Sequence, residues 1–144
     1  MGGIAARTRG PGFTDVTGDV AAWLRSEGAR DGVLTVFCMH TSASLTIQEN
    51  ADPDVRRDLL DALDGFAPRD AGYRHTIEGP DDMPAHIRAM LTSTSIAIPV
   101  REGRMLLGTW QGLYLIEHRA APHERRLQLH FLGSFESRPS PAKP

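Results

Sequence analysis

Along "ASLTIQE" (43–49), Leu45, Ile47 and Glu49 alternate with Ser44, Thr46 and Gln48. This period of two predicts a half-buried strand whose end reaches Glu49 and Asn50. Upstream, "GVLTVFCMH" (32–40) is dominated by β-branched and apolar residues after an Asp31–Gly32 turn, as in a mostly buried strand ending at His40. The pattern turns helical in three places. Val20, Ala21, Trp23 and Leu24 make a short apolar face after a cap at Thr17 or Gly18, closed by Gly28. In "DPDVRRDLLDALDGF", Asp52 can cap, Pro53 fits the first helical position, and Val55, Leu59, Ala62, Leu63 and Phe66 form a packing face that ends near Gly65. In "DDMPAHIRAMLT", Met83, Ile87, Met90 and Leu91 form an apolar stripe bordered by His86. Pro84 is tolerable there only in the first turn.

The last third reads as strands: "TSIAIPV", an Arg101–Glu102–Gly103 turn, "RMLLGTW", "GLYLIEH" and "RRLQLHFLGSF". Strands following two central helices predict an α+β fold, largely antiparallel sheets packed with two to three helices in one compact domain. The domain is expected over 14–135. Residues 1–13 read as an N-terminal arm or short edge strand, and the proline-rich 136–144 as a flexible tail. Several strands are apolar on both faces, which predicts that one sheet face is covered by another copy of the chain.

Composition narrows the classes. With 144 residues and 40% hydrophobic content, the chain can bury a core without staples. No apolar run approaches the roughly 18 residues of a membrane span. No secretory pattern is evident, and Cys38 is the single cysteine, so a soluble cytoplasmic protein is expected. A formal charge of −2 gives no global pull toward nucleic acid. The bases are arginines apart from Lys143, and arginine suits bidentate phosphate contacts.

The polar residues cluster at predicted element ends. His40 ends a strand, His75 lies in the long loop 67–80, His86 starts a helix and His118 ends a strand. Each can be a hydrogen-bonded structural residue. Together with Glu49 they can instead form a metal site, since neutral imidazole and carboxylate are ligands for zinc and similar ions. On this reading His40, His75 and His86 are the metal ligands. Glu49 is the proton-transfer group or a fourth ligand, with His40 and His86 in catalytic roles. No HExxH or paired CxxC is present, and the eleven-residue separation of His75 and His86 matches no compact motif. "HTSAS" lacks the flanking glycines of a nucleophile elbow, so the hydroxyls of Thr41 and Ser42 read as donors to a phosphate or as turn ties. Cys38 reads as an inert buried thiol. Trp110 and Gln111, bracketed by Gly108 and Gly112, can stack on and read a planar ring, or pack in a core. Arg125 or Arg126 can bind phosphate. Glu78, Asp81 and Asp82 can cap the following helix or hold Mg²⁺ through water and substrate phosphates.

"HTSASLTIQENADPDVRRDL", "YRHTIEGPDDMPAHI" and "LGTWQGLYLIEHR", in this order, resemble the YjbQ family, also called the secondary thiamine-phosphate synthases. The resemblance spans about residues 14–133. It implies a trimer with a pocket near subunit contacts, and site positions at His40, Thr41, Ser42, Glu49, Asn50, Asp52, His75, His86, Trp110, Gln111 and His118. It implies a transferase that joins a hydroxymethylpyrimidine diphosphate to a thiazole phosphate, with a divalent metal, either zinc at the histidines or Mg²⁺ with the diphosphate. The alternatives are a metal-assisted phosphate-ester hydrolase and a non-catalytic small-molecule or metal-binding protein.

Overall fold

The structure is a computed structural model that describes residues 1–137; the expected tail from 138 onward lies outside the described residues. Its elements are β1 (Gly2–Thr8), β2 (Gly12–Asp15), α1 (Thr17–Ser26), β3 (Ala29–Cys38), β4 (Ala43–Glu49), α2 (Pro53–Phe66), α3 (Asp82–Leu91), β5 (Ser95–Arg101), β6 (Arg104–Met105), β7 (Gln111–Glu117) and β8 (His123–Phe135). They form an α+β fold with two antiparallel sheets. The larger has the order β1-β8-β3-β5-β6 and the smaller β2-β7-β4. Residues 2–8 thus form an edge strand paired with β8.

The core lies between the sheets. Leu34, Val36, Leu127 and Leu129 from the larger sheet meet Leu45, Leu113 and Leu115 from the smaller, and Val20 and Leu24 of α1 close one side. Each of these side chains is almost fully removed from water, a contribution of about 1.5–3 kcal/mol apiece before entropy is subtracted.

The helices form where predicted, with local differences. Val16, not Thr17 or Gly18, occupies the cap of α1. The Asp15 carboxylate accepts from the Thr17 N–H instead, while the Thr17 hydroxyl bridges to Leu113 on β7. Gly28 turns the chain out of α1 with φ +67, a conformation that favours glycine. Asp52 caps α2 by accepting from the Asp54 N–H, with Pro53 first in the helix. The predicted face of α2 turns toward the smaller sheet but is not sealed. Leu59 and Leu63 are only half-buried, and Phe66 is 71% exposed beside a groove of about 140 Å³.

Helix α3 departs most from its pattern. It buries Asp82, Ala85 and Arg88, while Met90 and Leu91, members of the predicted stripe, are 77% and 55% exposed. Polar pairing decides the orientation: Arg88 donates to the Ala67 carbonyl at 2.8 Å and pairs with Asp64 at 2.8 Å, and Asp82 gathers the partners described below. The strand expected over 104–110 stops at Met105, because Gly108 to Gln111 form a turn in which the Gln111 side chain accepts from the Gly108 N–H.

Candidate functional site

Five chain segments converge at one end of the sandwich: the Met39–Ser42 loop between β3 and β4, the His75–Glu78 part of the loop before α3, the first turns of α3, the end of β7 and the start of β8. The three residues Glu117, His118 and Arg119, continuous with the buried run of β7, each hold a different part of this site.

Glu117 is 1% exposed and forms a two-pronged pair with Arg125: Nε donates to Oε2 at 2.7 Å and Nη2 to Oε1 at 2.9 Å. Arg125 Nη2 also donates to the hydroxyl and carbonyl of Ser42 at 3.1 and 3.3 Å. Nη1 has no protein partner among the described residues, and Arg125 lines a cavity of about 590 Å³ with Cys38, Met39, His40, Thr41 and Ser42. A guanidinium already aligned by a buried carboxylate, with one nitrogen left for a ligand, is suited to phosphate or carboxylate.

His40 lies beside this cavity. Its Nε2 accepts the Arg126 N–H at 2.7 Å, so the neutral ring carries its proton on Nδ1. Burial and then the charge of Arg125 lower its pKa, favouring that neutral form. The Cys38 thiol is pushed up by burial and donates to the Ala43 carbonyl, as befits an inert thiol. His118 is 2% exposed and pairs through Nε2 with Ser44 Oγ at 2.8 Å, which in turn meets the Thr92 hydroxyl at 2.6 Å. Burial, then the charges of Arg88 and Arg125, lower its pKa to about 4.

Arg119 organises the second half. It donates to Asp82 Oδ1 at 2.7 Å, to Asp81 Oδ2 at 3.0 Å and to the Glu78 carbonyl at 2.9 Å. Asp81 Oδ2 also accepts the Ala120 N–H, and Asp81 occupies the N-cap position of α3 without a side-chain cap bond. The other oxygen of Asp82, Oδ2, lies 2.6 Å from His75 Nε2 and 3.1 Å from His86 Nε2. Burial opposes its charge, but the hydrogen bond of His75 and the charges of Arg119 and His86 outweigh this and hold its carboxyl below the usual range. With Glu78, these three residues place one ligand atom each within 4.8 Å of one another.

This donor set fits a divalent metal. Two imidazole nitrogens and a carboxylate oxygen are zinc-type ligands, and tetrahedral bonds of about 2.0–2.2 Å put such atoms about 3.3–3.6 Å apart. His75 and His86 need only draw back slightly from Asp82. Their supports are also in place: His86 Nδ1 faces the Thr41 carbonyl at 3.1 Å, and Arg119 fixes the remote oxygen of Asp82. Thr41 lines the Arg125 cavity, so the group around Asp82 and this cavity share a wall.

The structure therefore brings His75 and His86 together and adds Asp82 and Glu78. His40 stays with the Arg125 cavity, its Nε2 used by the backbone. Glu49, Asn50, Trp110 and Gln111 gather at the other end of the smaller sheet, where Glu49 pairs in register with Gln111 and the Asn50 N–H donates to the Trp110 carbonyl. The length of β4, about 20 Å, separates them from the histidines of the same chain. Trp110 is 63% exposed rather than packed in a core. Arg126 is exposed, and Arg125 is the arginine that faces the pocket. Glu117 and Arg119 were missed as site residues. Their signal was the placement of Glu, His and Arg directly after an apolar strand run. That of Asp82 was its spacing of four from His86, which puts both on one helix face.

The family model described as UPF0047 protein YjbQ-like matches residues 4–134. The chain belongs to this YjbQ-like family. The UPF0047 protein sll1880 of Synechocystis is 50% identical over 131 residues, covering 90% of this chain and 89% of the relative. The YjbQ protein of Escherichia coli O157:H7 is 41% identical over 86% of this chain and 89% of its own length. Among solved structures, an uncharacterised YjbQ-family protein of Clostridium acetobutylicum superimposes with a TM-score of 0.85 at 38% identity, over 92% of this chain and all of that one. A conserved hypothetical protein of Thermus thermophilus gives 0.83 at 33% identity, over 92% of this chain and all of its own. The shared YjbQ fold agrees with the α+β architecture expected from the pattern.

Proposed function

We propose that this YjbQ-family chain is a metal-dependent enzyme acting on a phosphorylated small molecule. His75, Asp82 and His86 hold the metal, with Glu78 within reach, and Arg125 receives the phosphate. The observation that carries this reading is the single wall, Thr41, shared by the ligand group and the Arg125 cavity. A divalent metal bound there supplies Lewis acidity for neutralising phosphate oxygens and for activating water. Arg125 Nη1 and the His40 Nδ1–H are donors without protein partners among the described residues, available to orient an anion in the pocket. Glu117 keeps Arg125 aligned and Arg119 keeps Asp82 aligned, so binding costs little reorganisation.

With His75, Asp82 and His86 as ligands and Glu78 outside the shell, the metal would keep a position for water, the arrangement that favours hydrolysis of a phosphate ester. The synthase chemistry needs a flat platform beside the phosphate, and Trp110, the candidate for it, stands a strand length away in the same chain.

Metal analysis of protein purified without added metal or a metal-binding tag tests the ligand set. About one equivalent per chain is expected. It is expected to be lost in His75→Ala, His86→Ala and Asp82→Asn, and kept in His40→Ala and Glu49→Gln. Unchanged metal in the first three variants overturns the assignment. With the metal present, ¹⁸O from water entering released phosphate identifies hydrolysis; pyrophosphate release without incorporated water identifies the synthase.

In this reading the chain works as a homo-oligomer, a trimer as the family resemblance implies. Support comes from the outer face of the larger sheet, where Val33 pairs across strands with Leu132 and these are 45% and 74% exposed, near Phe37 at 45%. These exposed apolar side chains, with the Thr35–His130 pair between them, favour a partner over this face. Light scattering is expected to give a multiple of the chain mass, reduced to one chain by Val33→Asp with Leu132→Asp. A monomeric parent protein sinks this part of the reading.

A further inference from the structure

Away from the histidines, a larger cleft of about 830 Å³ opens between α1, the start of β3 and the β5–β6 hairpin. Its size lies in the range of small-molecule sites, roughly 300–1,000 Å³. Three arginines from three elements converge on it: Arg25 from α1, Arg30 from β3 and Arg104 from β6. Arg30 has a distant partner in Glu136 at 3.9 Å, while Arg25 and Arg104 have no carboxylate partner among the described residues. Ala21, Met105 and Leu107 supply apolar wall between the charges. Ala21 and Arg25 are four apart on α1, so they lie on one helix face.

The walls are fixed by the backbone. Glu102 adopts φ +51, rare for a residue with a side chain, and its N–H donates to the Asp31 carboxylate at 2.7 Å. Gly103, with φ +76, donates to the Arg30 carbonyl at 2.9 Å, and a Cβ there would stand 2.8 Å from the Ala29 carbonyl oxygen. The hairpin is therefore pressed against β3, and Arg104 follows a two-residue hairpin turn with positive φ at both positions, which sets it at the cleft.

We infer that this cleft is a second binding site, separate from the histidine site, for an organic phosphate: a phosphate monoester gripped by Arg25 and Arg104, with a small apolar body against Ala21, Met105 and Leu107. Guanidiniums from two elements can each give a charge-assisted hydrogen bond to phosphate oxygens. The Glu102 carboxylate at the same cleft opposes an anion and tunes its affinity downward. This inference does not depend on the metal reading.

Titration of the full chain with phenyl phosphate, followed by amide NMR, tests it. Shifts are expected at Gly28, Gly103 and Arg104, in addition to any near Thr41 and Arg125. Inorganic phosphate and phenol are expected to bind more weakly than phenyl phosphate. Arg25→Gln with Arg104→Gln is expected to weaken the interaction by about tenfold or more, and Glu102→Gln to strengthen it. All three residues are exposed, and the variants' spectra report whether the fold is kept. Shifts confined to the His40–Arg125 region, or an affinity unchanged in the double variant, overturn the proposal. Equal binding of inorganic phosphate removes the apolar body from it.

Discussion

Replacing Glu117 with alanine is expected to destabilise the chain by about 3–5 kcal/mol, because it strands the guanidinium of Arg125 in the interior. Arg125 is 4% exposed and Glu117 1%, and after the change only Ser42 would still accept from that guanidinium. The effect belongs to the unpaired charge rather than to the pair itself. Removing both charges together, as Glu117→Leu with Arg125→Met, is therefore expected to restore most of the stability, since an apolar pair of similar volume avoids the desolvation of two ions. Chemical denaturation of the parent, the single and the double variant measures this. Equal losses in single and double variants would show that the pair is not the source. The double variant also separates stability from function: it is expected to fold, and to lose binding of phosphate in the pocket over Arg125.

The second large effect concerns acid. His118 is buried against Ser44, and its pKa in the fold is about 4, against 6.5 for an ordinary histidine, owing first to burial and then to Arg88 and Arg125. Between these two values the unfolded chain takes up a proton at His118 that the folded chain does not. Stability therefore falls as pH drops from about 6.5 toward 4 and levels off below, by about 3 kcal/mol in total from this group. In His118→Gln, whose amide can still reach Ser44 but does not titrate, about 2.5 kcal/mol of the loss between neutral pH and pH 4.5 is expected to vanish. Denaturation midpoints of both proteins at the two pH values test it. A parallel decline in both proteins would place the acid sensitivity elsewhere.

These effects arise from residues that differ in how visible they were in the chain. The alternation over 43–49 located β4 with its bounds, and the Asp52–Pro53 signal located the start of α2, because local backbone chemistry dictates both. The predicted antiparallel α+β architecture is likewise present. Three ordered motifs placed the chain in its family. His75 and His86 were singled out, and they do meet, because a loop and the helix it enters are near in space for any fold.

Other pairings had no local signature. Asp82 with Arg119 and Glu117 with Ser42-bound Arg125 join side chains at the ends of separate elements. Periodicity reports which face of a strand or helix a residue occupies, but not what lies opposite it. The same gap misdirected α3, whose apolar stripe at Met83, Ile87, Met90 and Leu91 reads as its buried face, although in the single chain the residues it buries are Asp82, Pro84, Ala85 and Arg88. Burying an ion there is tolerable only because partners wait at Arg119, Ala67 and Asp64, and their presence is a matter of topology. Glu49 was grouped with the histidines because both lie at ends of elements; antiparallel β4 puts those ends on opposite sides of the sheet. The sequence by itself determined the family, the elements and the kinds of chemistry the chain carries. The tertiary structure alone decided which histidines share a carboxylate and which arginine is left with a free nitrogen, because those follow from strand order and register rather than from neighbours along the chain.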